Sequence, residues 1–347
     1  MKKLLIGCCC LSLIFFAETF DVGLARSQDQ EPVQRTVFDM AGRKVVLPHQ
    51  VNRIYTDGTA MTQLILMLGG LPKLIAVLPS TQSNPWVRKI YPSIANIPAS
   101  KATGANIEEL VRMKPDVVTL WAGNDALQNK LESLGIATVT FNYSDPAELK
   151  QGVILMGQIL GGKEVAVARE FCTYYDTNIR WVTTKTHSLS RSQKVKAYYV
   201  AANPLNTEGR DSMVTSWMGM AGGLNVASEA GIEPMVADVS MEDVIGWNPD
   251  VIIIRDAPNL KMILADERWK NINAVKKGRI YINPKGLNVW CARSADSALQ
   301  PLWAAKIFHP DIFGDIDLRK EVVRFYKQFY HYELNEAELK DVLYPRD

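Results

Sequence analysis

The stretch NIEELVRMKPDVV, residues 106–118, carries the pattern that decides the fold, and a matching stretch, SMEDVIGWNPDVI, occupies residues 240–252. In each copy Asn or Ser can cap a short helix, Pro-Asp follows nine residues after the cap, and an apolar run then predicts a buried strand. The offset is 134 residues throughout (240 − 106 and 249 − 115). The repeat therefore predicts two lobes of similar build.

Strands and helices alternate on both sides of each copy, which is typical of an α/β fold with mostly parallel strands. A hairpin is predicted at residues 35–47, around Ala41-Gly42. Strands are predicted at residues 53–55, 74–78, 117–120, 137–141, 197–200, 251–254 and 279–282. Helices are predicted at residues 60–68, 107–113, 126–134 and 213–220.

Residues 146–187 interrupt this alternation, because they have helical spacing with a break at Gly161-Gly162 and contain no strand-like run. We interpret them as a long connecting helix between the lobes. The predicted organisation is a signal peptide at 1–25, an N-terminal lobe at 36–145, the connector at 146–190, a C-terminal lobe at 191–310, and C-terminal helices packing on the lobes at 311–347.

Residues 1–25 predict that the protein is exported. Lys2 and Lys3 precede an apolar run at 4–17 and small residues up to Ala25, which is typical of a secretory signal peptide. The run has 14 residues, fewer than the roughly 20 that a spanning helix needs. Cys8 lies in an outline of a lipoprotein cleavage box, but the apolar stretch before it is short, so a periplasmic protein is favoured over a lipid-anchored one.

The net charge and the cysteine content argue against nucleic-acid binding and against a cysteine zinc site. Lys and Arg total 39 against 37 Asp and Glu, a net charge of +2 in 347 residues, which disfavours non-specific nucleic-acid binding. Three of the five cysteines lie in the leader, so Cys172 and Cys291 remain, paired or free, and cannot form a zinc site by themselves. We predict no resident cofactor or metal and a monomeric protein.

The chain resembles the substrate-binding proteins of bacterial ABC importers, in the class that carries iron–siderophore complexes, haem and cobalamin. The matching stretches are RIYTDGTAMTQLILMLGG at 53–70, NIEELVRMKPDVVTLWAGN at 106–124 with LESLGI at 131–136, EGRDSMVTSWMGMAGGLNVA at 208–227, VSMEDVIGWNPDVIII at 239–254 and WCARSADSALQPLWAAKIFHPDIF at 290–313. This resemblance implies two Rossmann-like lobes joined by one long helix, with the ligand held between them. It also implies that Glu108 and Glu242 dock on arginines of a membrane permease dimer.

Ligand-binding candidates come from loops at the carboxyl ends of the predicted strands, where α/β proteins place their sites. These loops are residues 56–59, 79–83 and 121 in the N-terminal lobe and 203–210, 255–256 and 290–293 in the C-terminal lobe. The candidates are Asp57, Trp121, Asn203, Arg210, Arg255, Trp290 and Arg293. Indole rings stack on large planar groups, and guanidinium groups bind carboxylates, catecholates or hydroxamates. Several candidates have a structural alternative. Asp57 could form a turn, and Trp121 or Trp290 could pack in the core. Arg210 or Arg255 could pair with the acid that follows it.

The arginine set favours an iron(III)–siderophore complex as cargo. The segments at 100–103 and 234–237 lack the tryptophan that would favour cobalamin. Haem needs an axial histidine or tyrosine; no histidine lies in the strand-end loops, and Tyr55 or Tyr91 could serve without a reason to choose either. A nickel or cobalt complex of a small metallophore remains open. The same scarcity of histidine makes a periplasmic metal-dependent enzyme a remote alternative.

Overall fold

The computed structural model describes residues 34–100, 107–233 and 236–345. The leader, including the predicted cleavage near Ala25 and Cys8, lies outside these residues, as does the expected helix cap Asn106. No helix within the described ranges is both long enough and apolar enough to cross a membrane.

Helices and strands alternate through most of the chain, as the sequence pattern predicts. The strands are β1 Gln34–Phe38, β2 Lys44–Pro48, β3 Ile54–Thr56, β4 Val117–Trp121, β5 Thr138–Phe141, β6 Val195–Val200, β7 Asn206–Glu208, β8 Gly223–Asn225, β9 Val236–Asp238, β10 Val251–Ile254 and β11 Ile280–Ile282. The helices are α1 Thr59–Met67, α2 Pro79–Gln82, α3 Pro85–Ile90, α4 Ile107–Arg112, α5 Asp125–Ser133, α6 Pro146–Leu160, α7 Glu164–Thr186, α8 Met213–Met220, α9 Val226–Glu229, α10 Met241–Trp247, α11 Pro258–Ala265, α12 Asn273–Lys276, α13 Gln300–Phe308, α14 Leu318–Phe329 and α15 Glu336–Leu343.

Two parallel sheets form the centres of the two lobes. The N-terminal sheet has the order β3-β4-β5 and the C-terminal sheet the order β11-β10-β6-β8. Parallel strands buried on both faces read as continuous apolar runs, and β10 is an unbroken Val-Ile-Ile-Ile segment with no exposed residue. The α/β fold with two lobes is therefore confirmed.

The repeated sequence pattern corresponds to repeated structure. Helix α4 precedes β4 and helix α10 precedes β10, and the two strands begin 134 residues apart (251 − 117). The Ser240 hydroxyl accepts a 3.1 Å hydrogen bond from the backbone N–H of Asp243, whose carboxylate in turn accepts from the Ser240 backbone. The cap predicted for the second copy is thus present.

The connector predicted at 146–190 consists of two helices rather than one. Asp145 caps α6 with a 2.8 Å hydrogen bond from the Glu148 backbone, and the helix ends at Gly161, whose φ of 74° is unfavourable for other residues. Helix α7, with 23 residues, packs on α6 and on α8 and α13 of the C-terminal lobe. The single helix that joins the lobes is therefore α7.

One further difference concerns a short element. Residues 74–78, predicted as a strand, make only isolated bridges from Leu74 to Ile54 and from Val77 to Ala99, because Pro72 and Pro79 bracket the segment and lack backbone donors. Near the C-terminus, Phe329 on α14 lies 5.5 Å, ring centroid to ring centroid, from Phe171 on α7.

Candidate functional site: the cleft between the lobes

The N-terminal lobe presents an acid and an indole at the ends of neighbouring strands. Asp57 follows β3, and its carboxylate accepts a 3.3 Å hydrogen bond from Asn124. Partial burial raises the pKa of this carboxyl above its ordinary value. Trp121 ends β4 and is partly exposed, with its ring centroid 4.8 Å from that of Tyr143. A Cβ at position 58 would lie 2.6 Å from the Trp121 Nε1, so Gly58 leaves room for the indole.

One hydrogen bond links this aromatic pair to the other lobe. The hydroxyl of buried Tyr143 donates to the main-chain carbonyl of Arg293, at 3.4 Å. Arg293 lies in the long loop after β11, at the carboxyl edge of the C-terminal sheet. The strand-end loops of the two lobes therefore meet along one cleft, as the crevice rule for α/β sheets predicts.

The C-terminal side of the cleft contains two arginines beside a buried acid. The Arg293 guanidinium lies 4.0 Å from the Glu208 carboxylate, measured from Nη2 to Oε2. Arg255 directly follows β10 and also interacts electrostatically with Glu208, while its Nε lies 3.6 Å from Asp256. Burial raises the pKa of Glu208, and the two arginines oppose that rise.

An open cavity of about 800 Å³ adjoins Arg255. It is lined by residues of both lobes, including Ser80, Ser83 and Trp86 from the N-terminal lobe and Arg255, Asp256 and Lys285 from the C-terminal lobe. Its size falls in the range of sites for small organic ligands. The loop after residue 78, a candidate region in the sequence, is therefore part of this wall.

Three of the seven candidate ligand contacts lie elsewhere. Trp290 is fully buried in the core, because the loop after β11 folds its ring inward, and no face remains for a ligand. The Asn203 side chain accepts a 3.0 Å hydrogen bond from the Leu205 backbone and shapes a turn. Arg210 is half-exposed and pairs with Glu233, whereas the sequence had suggested Asp211. The structure brings together Asp57, Trp121, Arg255 and Arg293.

Two residues of the cleft, Glu208 and Tyr143, were not among the predicted ligand contacts. Glu208 falls inside a strand-end loop that was singled out, but its burial could not be anticipated from a motif. Tyr143 follows β5 by two positions, and only its contacts with Trp121 and Arg293 identify it. The position of Tyr143 at a strand end was the one available signal.

Both cysteines are free, which answers the open question of a disulfide. The Cys291 sulfur lies 3.3 Å from the Tyr199 hydroxyl, and complete burial raises the pKa of the thiol to about 12. Such a thiol is a poor nucleophile and a poor metal ligand at neutral pH. Over residues 34–100, 107–233 and 236–345, no three His, Cys, Asp or Glu side chains converge as a metal site.

The two predicted docking acids occupy equivalent places. Glu108 and Glu242 are both exposed and each is the second residue of its helix, α4 or α10. A helix that precedes a parallel strand runs against it, so each acid lies at the same sheet edge as the cleft loops. The acids also favour their helix N-termini electrostatically.

Comparison with known proteins gives consistent matches. The sequence profile described as periplasmic binding protein matches residues 56–287. The chain is 28% identical to the molybdate-binding protein MolA of Haemophilus influenzae, over 95% of this chain and 96% of that protein. Among solved structures, it is similar to a periplasmic solute-binding protein of Veillonella parvula, with a TM-score of 0.78, 28% identity, and coverage of 90% and 97%. Molybdate-bound MolA has the same fold, with a TM-score of 0.78, 24% identity, and coverage of 87% and 99%.

Proposed function

Because this chain belongs to the periplasmic binding protein family and is the solute-binding component of an ABC transporter, we propose that its cargo is an anionic metal complex held between Arg255 and Arg293. The family binds and delivers solutes and has no catalytic activity. The remaining question is the chemistry of the cargo.

The observation that carries the proposal is the pairing of two cleft arginines with an aromatic wall. Arg255 and Arg293 stand on the C-terminal side, and the Trp121–Tyr143 pair faces them from the N-terminal side. Guanidinium groups bind oxygen anions through charged, often bidentate hydrogen bonds. The indole supplies a flat apolar surface for an organic shell.

An iron(III)–siderophore-type chelate is the cargo we favour. The cavity of about 800 Å³ beside Arg255 accommodates an organic group, and Lys285 is a second cation on its wall. Catecholate, hydroxamate or carboxylate oxygens would meet the arginines while the chelator's carbon shell covers Trp121. A nickel or cobalt metallophore would use the same contacts.

A metal oxyanion is the second candidate, and a specific observation favours it. The molybdate-binding relative matches nearly the whole length of this chain, including the segments that carry both arginines. An oxyanion would use Arg255 and Arg293 without needing the aromatic wall. Haem is disfavoured by the positions of Tyr55 and Tyr91, the two candidate axial ligands. Tyr55 is fully buried, and the Tyr91 hydroxyl donates to the Leu66 carbonyl at 3.3 Å.

We further propose that the protein works in the periplasm as a monomer and docks on a permease dimer through Glu108 and Glu242. The exposure of both acids and their equivalent positions in the two lobes support this contact. One acid on each lobe suits a partner with two symmetry-related basic patches.

The proposed cargo is tested by titration calorimetry with an iron(III) tricatecholate, a ferric hydroxamate, molybdate, haem, cobalamin and nickel. We expect one of the first three to bind, and Arg255→Ala and Arg293→Ala each to weaken that binding by about tenfold or more. Arg210→Ala is the matched control, because Arg210 is half-exposed and already forms an ion pair with Glu233. Binding of haem, cobalamin or nickel alone, or binding that is insensitive to both cleft arginines, would contradict the proposal.

A further inference from the structure

Glu208 is held rigidly at the wall of the cleft. It ends β7, where it pairs with Val236 of β9, and its main-chain carbonyl accepts a 2.8 Å hydrogen bond from Asn225. The following Gly209 packs so tightly that a Cβ there would lie 2.2 Å from the Ile232 carbonyl oxygen. The main chain at Glu208, from which the carboxyl extends, is therefore held in one place.

The carboxyl of Glu208 is buried but incompletely paired. Its side chain is 11% exposed, and its Oε2 has no hydrogen-bond partner among the described residues. The nearest cation, the Arg293 guanidinium, is 4.0 Å away, beyond hydrogen-bond distance. Buried polar atoms in folded proteins are almost always satisfied, so this oxygen and its position point to a ligand contact.

The charges around Glu208 determine whether such a ligand binds together with a proton. Within residues 34–100, 107–233 and 236–345, the charged or titratable groups that interact with Glu208 are Arg293, Arg255, and the neutral, buried Tyr199 and Cys291. Asp256 offsets Arg255 from the far side. Arg293 is within 4.0 Å of the Glu208 carboxylate, so an anion that docks on Arg293 places a second negative charge close to this largely buried carboxylate.

We propose that Glu208 contacts the cargo directly and takes up one proton when an oxygen anion docks on Arg293. In this state the protonated carboxyl donates a hydrogen bond to an oxygen of the cargo, and Oε2 gains the partner that it lacks. No covalent bond changes, since the proton comes from solvent. This inference rests on the proposed anionic cargo and adds a residue that selects for it.

The sign of the pH dependence follows from linkage. An anion near Glu208 raises the pKa of its carboxyl further than burial already does, so the complex holds one proton more than the free protein. Affinity therefore falls as the pH rises between the pKa of Glu208 in the free protein and its pKa in the complex. Within that window the Kd is expected to rise by up to about tenfold per pH unit.

The test is titration calorimetry with molybdate and with the iron(III) tricatecholate, each in two buffers of different ionisation enthalpy, from pH 5 to 8. For the probe that binds, the wild-type protein is expected to take up close to one proton per cargo within the window. Glu208→Gln is expected to abolish that uptake, flatten the pH dependence and bind more tightly than wild type at pH 8. Protonation of the probe itself cancels, because both proteins meet the same probe.

Glu233→Gln is the matched control, because Glu233 is an exposed acid of the same lobe that pairs with Arg210. It should retain the wild-type proton uptake. Proton uptake that is absent from the wild-type complex, or unchanged in Glu208→Gln, would overturn the role of Glu208 while leaving the cargo in place. Failure of both probes and of the ferric hydroxamate to bind the wild-type protein at any pH would instead overturn the proposed cargo, and this inference with it.

Discussion

Tyr330 donates a 2.6 Å hydrogen bond to the Oδ1 of Asp296, and both side chains are completely buried. Gln63 on α1 donates to the other oxygen, Oδ2, at 3.0 Å, and to the Tyr330 hydroxyl at 2.7 Å. The Asn288 backbone gives Oδ2 a further bond of 2.8 Å. One carboxylate thus joins the N-terminal lobe, the loop after β11 and the segment that follows α14.

Tyr330→Phe is predicted to destabilise the protein in a pH-dependent way. Burial raises the pKa of Asp296 to about 6, and the donated hydrogen bonds oppose that rise. Removing one donor disfavours the ionised carboxylate, so the folded-state pKa rises further and stability is lost as the pH rises through about 6. We expect a loss of about 1.5–3 kcal/mol in the free energy of unfolding at pH 7.5 and a smaller loss at pH 5.

Urea denaturation at the two pH values measures this difference. Tyr344→Phe is the control, because Tyr344 is 63% exposed and should tolerate the change at either pH. An equal loss for Tyr330→Phe at pH 5 and 7.5 would show that Asp296 does not titrate in this range.

Gly209→Ala is predicted to distort the cleft. The new Cβ would overlap the Ile232 carbonyl, and backbone cannot move aside as a flexible side chain can. We expect a loss of about 1–3 kcal/mol and weaker cargo binding through displacement of Glu208. Thermal unfolding and calorimetric titration measure the two effects. Gly219→Ala on α8, where nothing lies within 4 Å, should be neutral or slightly stabilising and serves as the comparison.

Trp121→Phe is predicted to reduce the fluorescence change that cargo binding causes, and Trp86 on the wall of the cavity beside Arg255 supplies the remainder. Trp121 is partly exposed in the cleft, whereas Trp217, Trp269 and Trp290 are fully buried. The smaller ring keeps some contact with Tyr143, so we expect the affinity to fall only by about three- to tenfold. Fluorescence and calorimetry report the two quantities separately. Trp181→Phe, which changes a ring packed on Phe313, should leave both unaltered, and an unaltered signal in Trp121→Phe would place the cargo elsewhere.

The double variant Glu108→Gln and Glu242→Gln is predicted to abolish transport without affecting capture. Both side chains are exposed, so their neutralisation leaves the cleft and the core unchanged. We expect cargo uptake in cells and stimulation of the transporter's ATPase to be lost while the Kd in solution is retained. Glu229→Gln, an acid on α9 paired with Arg191, is the control. Normal uptake by the double variant would remove these acids from the docking surface.

Local sequence patterns were sufficient to predict most of the central helices and strands and their repetition, with residues 74–78 as an exception. The periodicity, the Ser240 cap and the Pro-Asp turns depend on residues close together in the chain, so the hairpin, the buried strands and the 134-residue repeat were predictable. The same reasoning identified which loops line the cleft, because strand ends follow directly from strand positions.

Which side chains of those loops face the cleft depends on contacts that form in the tertiary structure. Trp290 and Arg293 lie three residues apart in one loop, yet one is buried in the core and the other faces Glu208. Arg210 pairs with Glu233, 23 residues away, rather than with its neighbour. Burial and pairing depend on residues distant in sequence, and these long-range contacts decide whether an arginine or an indole meets a ligand or the protein itself.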